Sequence, residues 1–315
     1  IYALVGHETN QSHYESMYGH MTNFADPNNH DFSNATVYQG LSSYTTEHAI
    51  ESFFGKVDYN YNDKYYFTAS LRRDASSRFH KDNRWGTFWA LGASWRLDQE
   101  EFMKSIEWIE ALKIKASYGT QGNENIGLTK AYEDLYEVQR VGGEAAFVRV
   151  LRGNPDLTWE KSNNFNVGFE SDFLGRIRFN ADFFIKETKD MLYQSPIPVS
   201  EGAPNYIWRN EMDMKNTGIE FDLSADIYKS RNLTWTINMN GTHYKNELTR
   251  LPDSKPASEF PNGYQAGSYW RKLGGSLYDW YLYDYAGVNP ETGESQFREY
   301  SKDENGNEVV NLVSI

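Results

Sequence analysis

Five side chains in this 315-residue chain have the types and surroundings that suit recognition chemistry. Tyr206, Trp208 and Arg209 fall in a stretch punctuated by Pro196, Pro198 and Pro204; Tyr269 and Trp270 belong to a second cluster with Tyr264, Tyr278 and Trp280. Aromatic faces stack on sugars and on peptide side chains and tolerate variety in what they hold. The same rings also serve loops that pack on themselves, or a girdle at a membrane surface, and both readings stay open.

Reactive chemistry is harder to build. With no cysteine, thiolate metal sites, disulfides and cysteine nucleophiles are excluded. His7, His13, His20 and His30 match no ligand spacing, and Asp303, Asn305 and Asn307 resemble a calcium loop only until Gly306, misplaced for one, makes a hairpin turn the better reading. The carboxylate pairs Glu100/Glu101 and Glu133/Asp134 carry no fixed separation of the kind glycosidases need, and a chain with 44 acidic residues offers such pairs by chance. Arg72, Arg73, Asp74 and Arg78 read as surface ion pairing, with an acidic ligand or a partner protein as the functional alternative. No catalytic residue, metal or cofactor is expected. A formal charge of -13 without a basic patch disfavours nucleic acid.

The elements that must position these residues are strands. From Thr217 to Ile227, Ile219, Phe221, Leu223 and Ala225 alternate with Glu220, Asp222, Ser224 and Asp226; Trp235, Ile237 and Met239 alternate with Thr236, Asn238 and Asn240 in the next segment. Only period-two geometry sorts side chains so. Similar strands run through 53–61, 65–71, 85–95, 112–118, 165–169 and 177–185. A first strand over Ile1 to His7 is followed by a polar stretch from Glu8 to His48, read as a connection, and Asp98 with Glu101 predicts a capped helix carrying Phe102, Ile106 and Ile109. Long loops are expected over Gly119 to Asp156 and Lys189 to Met214, and a hairpin turn at Asn305-Gly306.

Counting strands separates two architectures. Short turns at Asn62 to Lys64, Ser171 to Gly175 and Lys229 to Asn232 all fall at one end, and the long polar loops at the other. That segregation and strands of about ten residues predict an all-β, antiparallel transmembrane barrel with short periplasmic turns and long extracellular loops. A Greek-key sandwich has no reason to sort its loops this way. No apolar run approaches the roughly 20 residues of a membrane helix.

Several segments carry a resemblance, in order. The run YYFTASLRRDASSRFHKDNRWGTFWALGASWRL from Tyr65 resembles the signature hairpin of SusC/RagA-like TonB-dependent outer-membrane transporters of Bacteroidetes. EEFMKSIEWIEALKIKASYGTQGNENIG from Glu100, NPDLTWEKSNNFNVGFE from Asn154, MKNTGIEFDL from Met214 and YLYDYAGVNPETG from Tyr281 agree with it, so that the resemblance covers about Ser52 to Gly293. It implies a barrel of about 22 strands around a plug. It also implies a SusD-like surface lipoprotein as lid, TonB as the energy source, and glycans or peptides as cargo crossing the outer membrane. Residues 1–315 read as an internal piece of that barrel, with the plug, the TonB box and the final strands outside them, since the segment ends Asn311-Leu312-Val313-Ser314-Ile315. The expected function is import. The alternatives are a surface or secreted β-rich glycan-binding module without transport activity, and a passive porin.

Overall fold

The computed structural model describes residues 1–127, 129–303 and 307–314. Its strands are β1 (Tyr2–Phe24), β2 (Ala35–Tyr61), β3 (Tyr65–Ser76), β4 (Trp85–Arg96), β5 (Ile109–Asn123), β6 (Leu135–Val141), β7 (Glu144–Leu151), β8 (Glu160–Phe173) and β9 (Ile177–Lys189). They continue as β10 (Leu192–Pro196), β11 (Tyr206–Asn210), β12 (Asp213–Lys229), β13 (Thr234–Arg250), β14 (Tyr264–Ala266), β15 (Tyr269–Arg271), β16 (Asp284–Val288), β17 (Ser295–Lys302) and β18 (Glu308–Ser314).

One sheet takes the order β1-β2-β3-β4-β5-β8-β9-β12-β13, a meander in which each strand is antiparallel to its neighbours. The remaining strands make the hairpins β6/β7, β10/β11 and β14/β15 and the triplet β16/β17/β18. Among the described residues β13 does not pair with β1, so the sheet is a section of barrel wall.

Register aligns the apolar rows. Leu223 stands opposite Phe179 on one side and Met239 on the other, and Ala93 opposite Phe67 and Ala116. These rows are not covered: Leu71 is 56%, Leu91 54% and Ile219 55% exposed. A water-soluble sandwich would bury that band against a second sheet; a barrel turns it to lipid. Buried apolar residues instead gather at the extracellular end, in one cluster of Phe79, Phe88, Ile126, Ala131, Leu157 and Trp159 and another of Met212, Leu248, Leu251, Tyr264 and Leu277.

The periplasmic turns are tight for local reasons. Asn62 and Asp63 both take left-handed backbone, at φ 53° and 55°, as the central residues of a turn closed by the Lys64 N–H on Tyr61 O at 3.1 Å, and Asn60 Oδ1 accepts the Asp63 N–H at 3.0 Å. The third turn closes through Ser230 N–H to Leu233 O at 2.8 Å.

Three expectations change. The polar stretch after His7 is no loop: β1 and β2 pair from Tyr2↔Asp58 to Phe24↔Ala35, while β2 pairs with β3 only as far as Ile50↔Ser76. Residues 35–49 with their β1 partners therefore form a two-stranded ribbon that projects about 50 Å beyond the wall at ~3.4 Å per residue. Above a bilayer both faces are wet, so the alternation that marks a strand disappears although its Tyr, Thr and Val content persists. The helix after Asp98 is replaced by 3-10 turns at Leu97–Gln99 and Glu101–Met103, with Ile109 opening β5, because the Asp98 carboxylate is engaged by Arg96 and the Leu112 N–H. The loops at Gly119 to Asp156 and Lys189 to Met214 contain the hairpins β6/β7 and β10/β11. The turn at Asn305-Gly306 lies outside the described residues; β17 and β18 pair on either side of it.

Candidate functional site

Opposite the apolar rows, the other face of each strand presents polar side chains to the lumen. Neighbouring strands pair them by charge: Lys113 Nζ lies 2.7 Å from Glu170, Lys115 Nζ 3.2 Å from Glu170 and, across Gly168 of β8, 3.1 Å from Asp182 of β9, and Arg178 Nε 2.9 Å from Asp172. Thr68 and Thr236 donate their hydroxyls to Asp58 and Asp226, each at 2.7 Å. Tyr66, Ser94, Asn166 and Glu220 line the same hollow as Lys115. Such a wall presents both signs of charge, hydroxyls and amides, and among the described residues no group of three or more His, Asp or Glu that could hold a metal ion is found. Sequence reasoning saw the wet face and missed the pairs, because Lys113 and Glu170 meet only through the β5–β8 register.

At the extracellular rim the segments between strands fold onto one another. The Phe88 ring lies over Gly86 and Gly122, where an added Cβ would run into its Cζ. Trp159 packs its ring at 5.4 Å from Phe88 and 5.7 Å from Phe79, and donates Nε1–H to Arg84 O at 2.8 Å. Glu124 fastens the base of the ribbon here: it accepts the Ser76 hydroxyl, lies 3.3 Å from Arg78 Nη1, and is 2.9 Å from His48 Nε2.

The β10/β11 hairpin joins the two buried clusters. Leu192 and Trp208 pack on the Phe79 cluster, while Met191 and Tyr193 pack on the Tyr264 cluster, where burial pushes the Tyr264 phenol up to about 12. Asn154 Nδ2 donates to Trp208 O at 2.7 Å and Asn210 Nδ2 to Thr158 O at 2.9 Å. The hairpin tip is held by Arg149 of β7 and by Arg152 just beyond that strand. Arg149 donates to the carbonyls of Ala203 (3.0 Å) and Glu201 (3.3 Å), and Arg152 to the Glu201 carbonyl (2.7 Å) and carboxylate (2.7 Å). Nearby the Gly153 N–H at 2.8 Å, with Arg149, holds the Asp134 carboxyl below its ordinary range.

The five recognition candidates fall in two places. Trp208 is half-buried in the cluster contact just described, Tyr206 is half-buried near the hairpin tip, and Arg209 is exposed, 3.5 Å from the buried Glu211 carboxylate. Tyr269 sits 4.8 Å from Trp280 and 5.6 Å from Tyr278, and Trp270 4.9 Å from Tyr281, with its Nε1–H on Asn262 O at 2.9 Å. Tyr278, Trp280 and Tyr281 are exposed, so the second group forms an open aromatic platform. Among the described residues no ring contact joins the two groups.

At the periplasmic rim, Glu100 accepts the Tyr65 hydroxyl at 2.7 Å and Trp95 Nε1–H at 3.1 Å on one oxygen and Lys64 Nζ at 3.0 Å on the other. These donors, the Tyr65 hydroxyl foremost, hold its carboxyl down at about 2.

Residues 2–310 match the family model described as TonB dependent receptor-like, beta-barrel. The chain belongs to the TonB-dependent receptor β-barrel family. It is 36% identical over 263 residues to TonB-dependent receptor P39 of Formosa agariphila, covering 82% of this chain and 24% of that protein. TonB-dependent receptor SusC of Bacteroides thetaiotaomicron is 34% identical over 218 residues, or 67% of this chain and 22% of SusC. The chain thus spans about a quarter of the length of these relatives. A solved structure of the RagAB peptide transporter superposes with a TM-score of 0.84 at 27% identity, over 99% of this chain and 35% of that one. The match to SusC and to RagAB makes this a section of a SusC/RagA-like barrel, and these relatives are named as receptors and transporters.

Proposed function

We propose that this chain is part of the wall of an outer-membrane, TonB-dependent nutrient importer that moves oligosaccharides or peptides into the periplasm. The observation that carries the reading is the pair of faces: an uncovered apolar band around a charge-paired, hydroxyl-rich interior, with tight turns at one rim and packed hairpins at the other. A secreted binding module has no use for that band. A SusD-like lipoprotein covers the extracellular rim in this reading, and TonB acts through a plug domain sought outside these residues. Tyr269 and Trp270, with the exposed rings around them, meet cargo at the mouth together with Tyr206 and Arg209 of the hairpin, which Trp208 holds in place by packing on the Phe79 cluster. RagAB, whose name states a peptide cargo, makes peptides one of the two classes to test.

The test is uptake. Cells with and without the gene are supplied with labelled oligosaccharides or peptides, and the membrane fraction of the cells that carry it is probed for the protein. Loss of accumulation of one class, restored by the full-length gene, supports import; unchanged uptake of both classes, or recovery of the protein as a soluble monomer, refutes it.

A further inference from the structure

We propose that Glu100 to Trp108 form an interfacial foot lying in the periplasmic leaflet, with Phe102 and Trp108 seated among zwitterionic phospholipid headgroups. This rests on the membrane reading above and adds a surface that the wall alone does not supply.

The direction of the segment follows from its anchors. Tyr65 and Trp95 are paired in register and stacked at 6.1 Å in the outward row that continues to Tyr61 and Tyr59. Glu100 takes its hydrogen bonds from the polar ends of those two rings, so the chain leaving β4 turns beneath the lipid-facing side of the wall, away from the lumen. Leu97 agrees, lining an outward hollow with Leu112 and Ile114. At the other end Trp108 lies 5.7 Å from the outward Phe173, and its carbonyl accepts the Leu174 N–H at 2.9 Å.

Between these anchors the segment exposes what a membrane interface covers. Phe102 is 62% and Trp108 55% exposed, on a segment tied at Glu100 to the Tyr65 and Trp95 rings and at Trp108 to Phe173. Aromatic side chains favour the headgroup level, where ring and polar surroundings are both satisfied. Charge selects the headgroup. The segment carries Glu100, Glu101 and Glu107 against Lys104, which is already 2.6 Å from Glu101. An anionic lipid gains no attraction there, whereas the ammonium of a phosphatidylethanolamine headgroup does.

The experiment uses the full-length protein in vesicles of phosphatidylethanolamine and phosphatidylglycerol, with one nitroxide label at a time on an introduced cysteine; the chain has none of its own. Collision with oxygen, enriched in lipid, is compared with collision with a water-soluble nickel chelate. Labels at Phe102→Cys and Trp108→Cys are expected to favour oxygen, as Leu223→Cys in the lipid-facing band does, while Arg231→Cys in the exposed β12–β13 turn favours nickel. If position 102 behaves like 231 while 223 stays in lipid, the foot is wrong and the barrel stands. If 223 also behaves like 231, the membrane reading itself fails.

Discussion

Placing an arginine at three positions on β12 tests the two faces and the depth scale together. Leu223 lies midway along the outward row, opposite Phe179 and Met239. Ser224 is the next residue and faces the lumen opposite Arg178 and Asn238. Ile219 lies four residues above Leu223, beside His243, where the apolar row ends. At ~3.4 Å per residue and a strand tilt of about 40°, those four residues raise Ile219 about 10 Å towards the headgroups, close to the edge of a band about 25 Å tall. Leu223→Arg should therefore destabilise the folded barrel by about 2–4 kcal/mol and Ile219→Arg by about 0–1 kcal/mol. Ser224→Arg meets water and should be as mild as Ile219→Arg. Reversible urea unfolding of the full-length protein in vesicles reads all three. Equal losses at Leu223 and Ser224 would refute the assignment of faces, and equal losses at Leu223 and Ile219 would refute the depth.

Gly122→Ala should loosen the extracellular rim by about 1–3 kcal/mol, because its Cβ enters the ring of a Phe88 that is itself enclosed, whereas Gly55→Ala, with only Leu4 O at 3.5 Å, should be tolerated; protease cleavage within 124–159 reports the difference. Because the Glu100 carboxyl titrates at about 2 when folded and near 4.5 otherwise, its contribution is complete above pH 4.5 and disappears as pH falls towards 2. Hydrogen-exchange protection of residues 97–108 should fall over that window, and Glu100→Gln should remove both the protection and its acid dependence. Trp208→Ala should lower thermal stability of the rim with or without cargo, while Trp280→Ala, at a ring 68% exposed, should reduce cargo uptake and leave stability unchanged. Equal stability losses from both would show the platform to be packing.

The wall was legible because lipid on one side and water on the other force alternation, which is why Ile219, Phe221 and Leu223 sort cleanly from Glu220, Asp222 and Ser224. Where the environment is wet on both sides that signal is lost, so Tyr14, Tyr18 and Tyr44 looked like loop residues although they sit on paired strands. Asp98 misled for a different reason: an aspartate three residues before a glutamate suits a helix cap, but here its acceptors serve Arg96 and a distant strand N–H. Of the recognition candidates, residue type alone could not separate Trp208, drawn into a buried cluster, from Trp280, left open. The difference is made by the buried cluster that includes Phe79, Leu157 and Trp159, assembled from separate parts of the chain, against which Trp208 packs.

The way Arg149 and Arg152 grip the β10/β11 hairpin bears on which of its side chains can vary. Both hairpin faces are employed, so truncating Leu192, Tyr193 or Trp208 removes packing from one buried cluster or the other. The tip is different: Arg149 and Arg152 hold Glu201 and Ala203 largely through main-chain oxygens, which every amino acid provides. Side chains at Val199, Ser200 and Ala203 can therefore be exchanged while these main-chain bonds and Gly202, at φ 84°, keep the loop's trajectory, so the surface of the tip can vary without rebuilding the rim.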